Sequence, residues 1–593
     1  MAGCVIMPAS MNVRFQYQMN KALSLSLGVL LLAGCQALPG PESSASPALP
    51  AESSPPPVTR NFDSETLYDL LVAELAGQRQ QPALALQRYQ RQLLRARSPL
   101  VAERAFRIAE YMDARQLAMQ SAQTWVELAP DSADAYRAAA IELAKNGQYD
   151  KAMEYTSRAI ELDPESESHF DFIAFTAVHT RPDMRAALQQ QFARLLQEHP
   201  QRHELRLGQA ILLQEDDPAQ ALKLLQQMPV NGNSATVLAL QARLYQQLEQ
   251  PEQSLQIQRQ LIDEQPGNSA IRLNYARQLI GLNRLEEARD QFLQLLQTEP
   301  GNDDFRLGLA YLYMDLEAWQ EALIYLQELQ ERDSYTGTAL YNSGRCLEAL
   351  EQPQQAIQAY QAIGPGEYFL AARQQEGNLW LQLGRPEQFR QTFIRARDSQ
   401  PDEQPSLLQI EIELLNRNQQ ADAAWQLAGQ ALQQFPDNAN LLYSRAMLAE
   451  RRDDLQQLET DLRRIMANDP EHAIAMNALG YTLADRTDRL AEALELIRAA
   501  HELQPDDAAT LDSLGWVYYR LGQPEEALGW LEQAFAVYPD PEVAAHLGEV
   551  HWALGNKRQA RKIWRQALEE SPGHDILLET VRRLDPRKEW LKP

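Results

Sequence analysis

A proline returns about every 34 residues through most of this chain. Pro130, Pro164 and Pro200, then Pro266 and Pro300, then Pro401, Pro436, Pro470, Pro505, Pro539 and Pro572 stand 33 to 36 residues apart within each run. The gaps keep the same clock: 66 residues separate Pro200 from Pro266, and 101 separate Pro300 from Pro401. Such a period calls for stacked supersecondary units, none of which buries its apolar face alone, and not for one globular core. Arrays of this kind hold other molecules far more often than they catalyse.

One period, Ala508 to Asp540, shows what a unit contains. Leu511, Leu514, Gly515 and Tyr518 recur at spacings of three and four, on one side of an α-helix. After a break at Gly522, Ala527, Leu531 and Ala534 make a second such face, and Pro539 ends the unit. The pattern returns as Leu547, Gly548, Gly555, Ala560, Trp564, Ala567 and Pro572, and as Tyr136, Ala140, Leu143, Gly147, Ala152, Ala159 and Pro164. It is partly kept at Gly344 and Ala356, and at Gly377, Gly384, Ala396 and Pro401. These residues resemble the tetratricopeptide motif, with its Leu-Gly-x-x-Tyr first helix, Ala-rich second helix and closing proline. The resemblance implies an all-α chain of helix-turn-helix units in a right-handed superhelical solenoid, about two turns for roughly fifteen units between Glu65 and Pro572. The units near Thr66, Pro99, Glu167 and His203 keep the small-residue positions poorly. Residues 62–232 are therefore expected as degenerate helical repeats, 233–572 as the regular superhelix, and 573–593 as a capping segment.

The front of the chain reads as an address. Lys21 precedes a short apolar run ending in Leu32-Ala33-Gly34-Cys35, too short to span a bilayer and flanked like an export signal. Leu-Ala-Gly-Cys resembles the bacterial lipobox, which implies cleavage before Cys35 and acylation of that cysteine, the one covalent group expected on a chain that needs no cofactor. Residues 1–34 are then a signal peptide, with 1–18 superfluous because Met19 already begins a complete signal. Gln36 follows the cysteine in place of an aspartate, so the family expectation is the outer membrane, facing the periplasm. Several acyl chains anchor firmly where one binds marginally. Residues 35–61, rich in Pro, Ser, Ala and Glu, cannot bury enough apolar surface to fold and read as a tether reaching ~50–70 Å. Of three cysteines, Cys4 falls in the signal peptide and Cys35 is the acylated one, which leaves Cys346 and no internal disulfide; its place beside Gly344 and Leu347 points to a packed thiol.

The formal charge is −26, from 81 acidic and 55 basic residues, which argues against nucleic acid as a ligand. No lysine occurs between Lys223 and Lys557, so a lysine clamp for a peptide carboxylate is missing from the central array. No reactive constellation stands out. His546 and His551 are five apart, Pro200 separates His199 from His203, and His203-Glu204 and His501-Glu502 lack a second histidine. There is no Gly-x-Ser-x-Gly elbow, phosphate-binding glycine loop or Cys-x-x-Cys pair. Neither a catalytic residue nor a metal site is expected. Asp216-Asp217, Asp303-Asp304 and Asp506-Asp507 fall where carboxylates suit helix starts.

Binding residues follow from the motif register, since the first helix of each tetratricopeptide unit lines the concave wall. That register selects Tyr311, Met314 and Tyr341 in the middle of the chain. Toward its end it selects Asn477, Tyr481, Asp512, Trp516, Tyr519, Glu549 and Trp552, with Tyr519 expected to be exposed. Aromatic anchors in a groove suit protein recognition. Export signal, tether and long repeat array together resemble the outer-membrane lipoproteins that act as adaptors of a periplasmic C-terminal processing protease. That resemblance implies a non-enzymatic protein whose partners are the protease and its substrates, such as peptidoglycan hydrolases, with the membrane engaged only through lipid. A scaffold for envelope assembly or polysaccharide export is the alternative built from the same parts.

Overall fold

The computed structural model describes residues 63–164, 169–228 and 235–586. Among them stand thirty-one α-helices and no strand, arranged as fifteen consecutive helix pairs and one closing helix, Asp575–Leu584. The all-α helix-turn-helix expectation and the number of units both hold. Cys35, the leader, the tether, the border at 232/233 and the last seven residues lie outside the described residues. By its contacts the chain divides after Asn302 into two compact units.

The periodic proline acts through the residue before it. Ala129, Gln400, Gln504 and Ser571 each precede a proline and take φ near −135° with ψ of 69° to 79°. The proline ring excludes the α region for its predecessor, so the second helix of a pair stops there. A second set of prolines opens helices at their first position, where the missing N–H costs nothing, as Pro251, Pro353, Pro386, Pro524 and Pro541 do.

The turn inside each pair has its own rule. Twelve of the fifteen pairs place one residue in the left-handed region, two residues before the second helix begins. Gly147, Gly384, Gly522 and Gly555 fill it at φ of 65° to 84°. Gln80, Asp113, Glu249, Asn283, Glu317, Glu351, Gln419 and Asp453 fill it at 50° to 61° despite their Cβ atoms. The next N–H then reaches back five residues, as Gln523 to Tyr518 O and Asn556 to His551 O, closing the first helix with a Schellman turn.

Packing between paired helices depends on absent side chains. A Cβ on Gly344, Gly480, Gly515 or Gly548 would fall closer than 3.0 Å to Tyr360, Ile497, Leu531 or Trp564 on the partner helix. Ala527, Ala534 and Ala560 are fully buried from the other side. One pair adds charge beside this contact: Ala446 takes the glycine position and is fully buried, and Arg445 just before it grips Asp461, sixteen residues on, at 2.8 and 2.6 Å. One unit upstream, Ile412 takes the glycine position, and Glu411 just before it is buried and pairs with Arg397 of the preceding helix. The pair Phe170–Ala177 and Pro182–Glu198 is irregular, its first helix being only eight residues long. Phe192 of this pair fills the space above Gly208, which lies on the first helix of the next pair, His203–Leu213.

Cys346 is fully buried, and desolvation pushes its thiol up to about 11, which suits the expected packed thiol. Asp217 and Asp507 cap helices by accepting the N–H groups of Gln220 and Thr510. Asp216 instead accepts from Arg185 and Gln189 across to the preceding pair.

Candidate functional site

The C-terminal unit gathers most of the candidate residues on the first helices of consecutive pairs: Ala473–Arg486, Ala508–Arg520 and Pro541–Ala553. Side chains one period apart in sequence become neighbours across these helices. His546 presents Nδ1 to the Asp512 carboxylate at 2.9 and 3.0 Å, 34 residues away. The imidazole lies on the Trp516 indole, ring centroids 4.2 Å apart and planes 23° from parallel. Tyr481 donates to Glu542 at 3.0 Å and stands 3.5 Å from His546 Nε2. The Trp516 indole N–H donates to Asp485 at 3.2 Å, and Arg520 to the Asp485 carbonyl at 2.6 Å. Arg583 of the closing helix grips Glu549 at 2.9 and 2.5 Å, and the Tyr519 hydroxyl reaches Glu549 at 3.4 Å.

Electrostatics follow from burial. Desolvation, the largest influence on His546, works against its charge, but the Asp512 carboxylate outweighs it, helped by Glu542 and Glu549. The ring is held up at about 9 and is an imidazolium at neutral pH. Burial likewise raises Glu542, and burial with the nearby Glu542 charge lifts Tyr481 well above the usual phenol range. The His546–Asp512 contact has the form of a catalytic dyad, yet no serine or cysteine stands at Nε2 and the ring is 4% exposed. Among the described residues no group of His, Cys, Asp and Glu is placed to hold a metal ion. What the arrangement does is fasten three successive inner helices and the closing helix to one another.

That role corrects part of the register argument. Met314, Asp512, Trp516 and Glu549 are buried, and Tyr519, expected exposed, is half-buried. The deciding factor is the close approach of neighbouring first helices, which turns their lateral positions into seams. Tyr311, Tyr341, Asn477, Tyr481 and Trp552 are partly open. Trp552 packs on Trp564 with centroids 5.7 Å apart and lies under Lys557 and Arg561, at 4.8 and 5.5 Å from its ring. Tyr341 sits between Tyr360 and Tyr368, at 5.8 and 5.1 Å. Burial pushes Tyr311 up to about 12. Asn477 Oδ1 is a buried acceptor that meets no donor among the described residues. The motif register did not select His546, Glu542, Asp485 or Arg583. The signal that finds the His546–Asp512 and Arg583–Glu549 pairs is complementary residue types 34 apart.

Comparison with known proteins adds the family. The chain is 44% identical over 584 residues to TPR repeat-containing protein PA4667 of Pseudomonas aeruginosa, covering 97% of this chain and 98% of that one. An 84-residue stretch, 14% of this chain and 8% of the relative, is 33% identical to bacteriophage adsorption protein A of Escherichia coli. Tetratricopeptide-repeat models match residues 133–166, 240–303, 276–336, 307–367, 471–540 and 513–575. Among solved structures, the thermophilic TPR protein TTC0263 of Thermus thermophilus aligns over 31% of this chain and 97% of its own, at TM-score 0.28 and 23% identity. Cut9–Hcn1 aligns over 88% and 96%, at TM-score 0.31 and 13% identity. With PA4667 matched along nearly its whole length, the chain belongs to the tetratricopeptide-repeat family and, within it, to the group that includes that protein.

Proposed function

We propose that the chain is a non-enzymatic adaptor, held at the outer membrane by acyl groups on Cys35, that binds a periplasmic C-terminal processing protease and brings it substrates such as peptidoglycan hydrolases. Tetratricopeptide arrays serve protein–protein interaction, and the finer reading rests on the resemblance of lipobox, tether and repeats to LbcA, the lipoprotein adaptor of the protease CtpA. The structural observation that favours binding over pure scaffolding is Asn477, whose buried Oδ1 lacks a donor beside the partly open Tyr481. A buried acceptor left unpaired costs about 1–3 kcal/mol, which a partner's N–H recovers on binding. Holding protease and substrate on one chain raises their effective concentration, to the millimolar range for short flexible links.

Affinity purification of the full chain from envelopes, read by mass spectrometry, tests this. A stoichiometric C-terminal processing protease is expected, and Asn477→Ala is expected to weaken its recovery about tenfold with helicity unchanged. Recovery of export or assembly-machine subunits without any protease overturns the adaptor reading in favour of the envelope scaffold.

A further inference from the structure

The two ends of the repeat array are finished differently. At the C-terminal end, Asp575–Leu584 buries Leu577 and Val581 completely. At the other end the first described helix, Ser64–Gln78, is turned the opposite way. It buries Thr66, Asp69, Ala73 and Ala76 against its partner helix and leaves Leu67, Tyr68, Leu71 and Leu75 at 49–60% exposure. A solenoid's end repeats ordinarily carry a polar outer face, because an apolar one is an open interface.

The exposed residues form one ridge with internal symmetry. Asp63, Leu67, Leu71, Leu75 and Arg79 follow one another at intervals of four, from N-cap to C-cap, along a single i+4 row. Read in reverse, the row is its own complement: leucines match leucines about Leu71, and acid matches base at the ends. From this we infer that the ridge is the contact surface for a second copy of the same chain, the two first helices crossing antiparallel about a two-fold axis at Leu71. In that pairing Leu67 of one copy meets Leu75 of the other, and Asp63 meets Arg79. Tyr68, on the ridge's flank, comes beside Glu74. An isologous contact requires this self-complementarity. Among the described residues Arg79 makes no ion pair, although eleven other arginines from Arg88 to Arg194 do. Its charge is available. Asp63, Glu65 and Glu74 at the margins make an anionic lipid surface a poor alternative. One 15-residue helix buries less than the roughly 800 Å² per partner of a stable complex, so the dimer is a weak, concentration-dependent one.

Single cysteines in the full chain, oxidised in isolated envelopes and resolved on non-reducing gels, test the axis. Leu71→Cys is expected to give a species of twice the chain's mass. Leu67→Cys and Leu75→Cys are expected to link to each other when co-expressed and at least tenfold less to themselves. Tyr111→Cys, 82% exposed and off the ridge, is the control for chance collision and should not link. Adding Arg79→Asp to Leu71→Cys is expected to cut the yield several-fold. The inference is overturned by a Leu71→Cys chain that reacts with a soluble maleimide yet forms no self-link. It is equally overturned by equal self-linking at 67 and 75, which marks a parallel pair, or by a link to a different protein.

Discussion

At the scale of single residues, His546 shows what the fold does with a group that sequence reading set aside. Its partner is not a second histidine on the same helix but Asp512, one repeat earlier on a different helix. Periodicity narrowed the answer, since the two residues lie about one repeat apart on neighbouring first helices. Two consequences of the imidazolium are measurable. Its folded-state pKa is raised from 6.5 to about 9, so its stabilising contribution is complete below 6.5, fades as pH rises and is gone above about 9. The melting transition of the C-terminal hairpins should therefore fall between pH 7 and pH 10. The double variant Asp512→Asn/His546→Gln should lose that slope, because no titrating pair remains. Equal slopes in both proteins would mean that the His546 charge is not what titrates.

At the scale of the element, the helix pair was legible and its internal variations were not. Proline spacing located the ends of eleven of the fifteen second helices, since the ring constrains its predecessor whatever the neighbours are. The turn inside each pair was visible only where glycine filled the left-handed position, at Gly147, Gly384, Gly522 and Gly555. Glu317 and Glu351 adopt the same conformation because the flanking helices and the Schellman hydrogen bonds determine it, at a local cost of about 1–2 kcal/mol. Likewise, Arg445 stands where other units carry Leu514 or Leu547, and nothing in the apolar pattern pointed to Asp461 as its partner. A buried ion pair is expensive to break and cheap to replace. Asp461→Ala, which strands the guanidinium, should destabilise its hairpin by about 3–5 kcal/mol. Arg445→Leu/Asp461→Leu replaces the pair by apolar side chains at the position that Leu514 holds in its own unit and should match or exceed the parent. Hydrogen exchange over 439–468 measures both. A double variant as unstable as the single one would show that the ion pair does more than fill the repeat's packing site.

At the scale of the whole chain, stability is distributed and so is the difficulty of reading a site. Each pair packs mainly on its neighbours, so the free energy is close to a sum of hairpin terms and nearest-neighbour terms. The lateral positions of first helices serve that sum, which explains why Trp516 and Asp512, chosen as binding residues from the motif register, are spent on seams between repeats. A register identifies a face but not the distance to the next helix, and that distance decides whether a side chain is wall or mortar. The closing helix tests the additive picture. Leu577→Asp/Val581→Asp places two charges against the last hairpin and should detach Asp575–Leu584, releasing Glu549 from Arg583. Hydrogen exchange should then rise in Pro541–Ala553 and Lys557–Glu570, decline over the pair before them, and stay unchanged in residues 63–302, where no contact has been altered. Protection lost evenly along the chain would instead mark one cooperative unit, and the nearest-neighbour account would have to be given up.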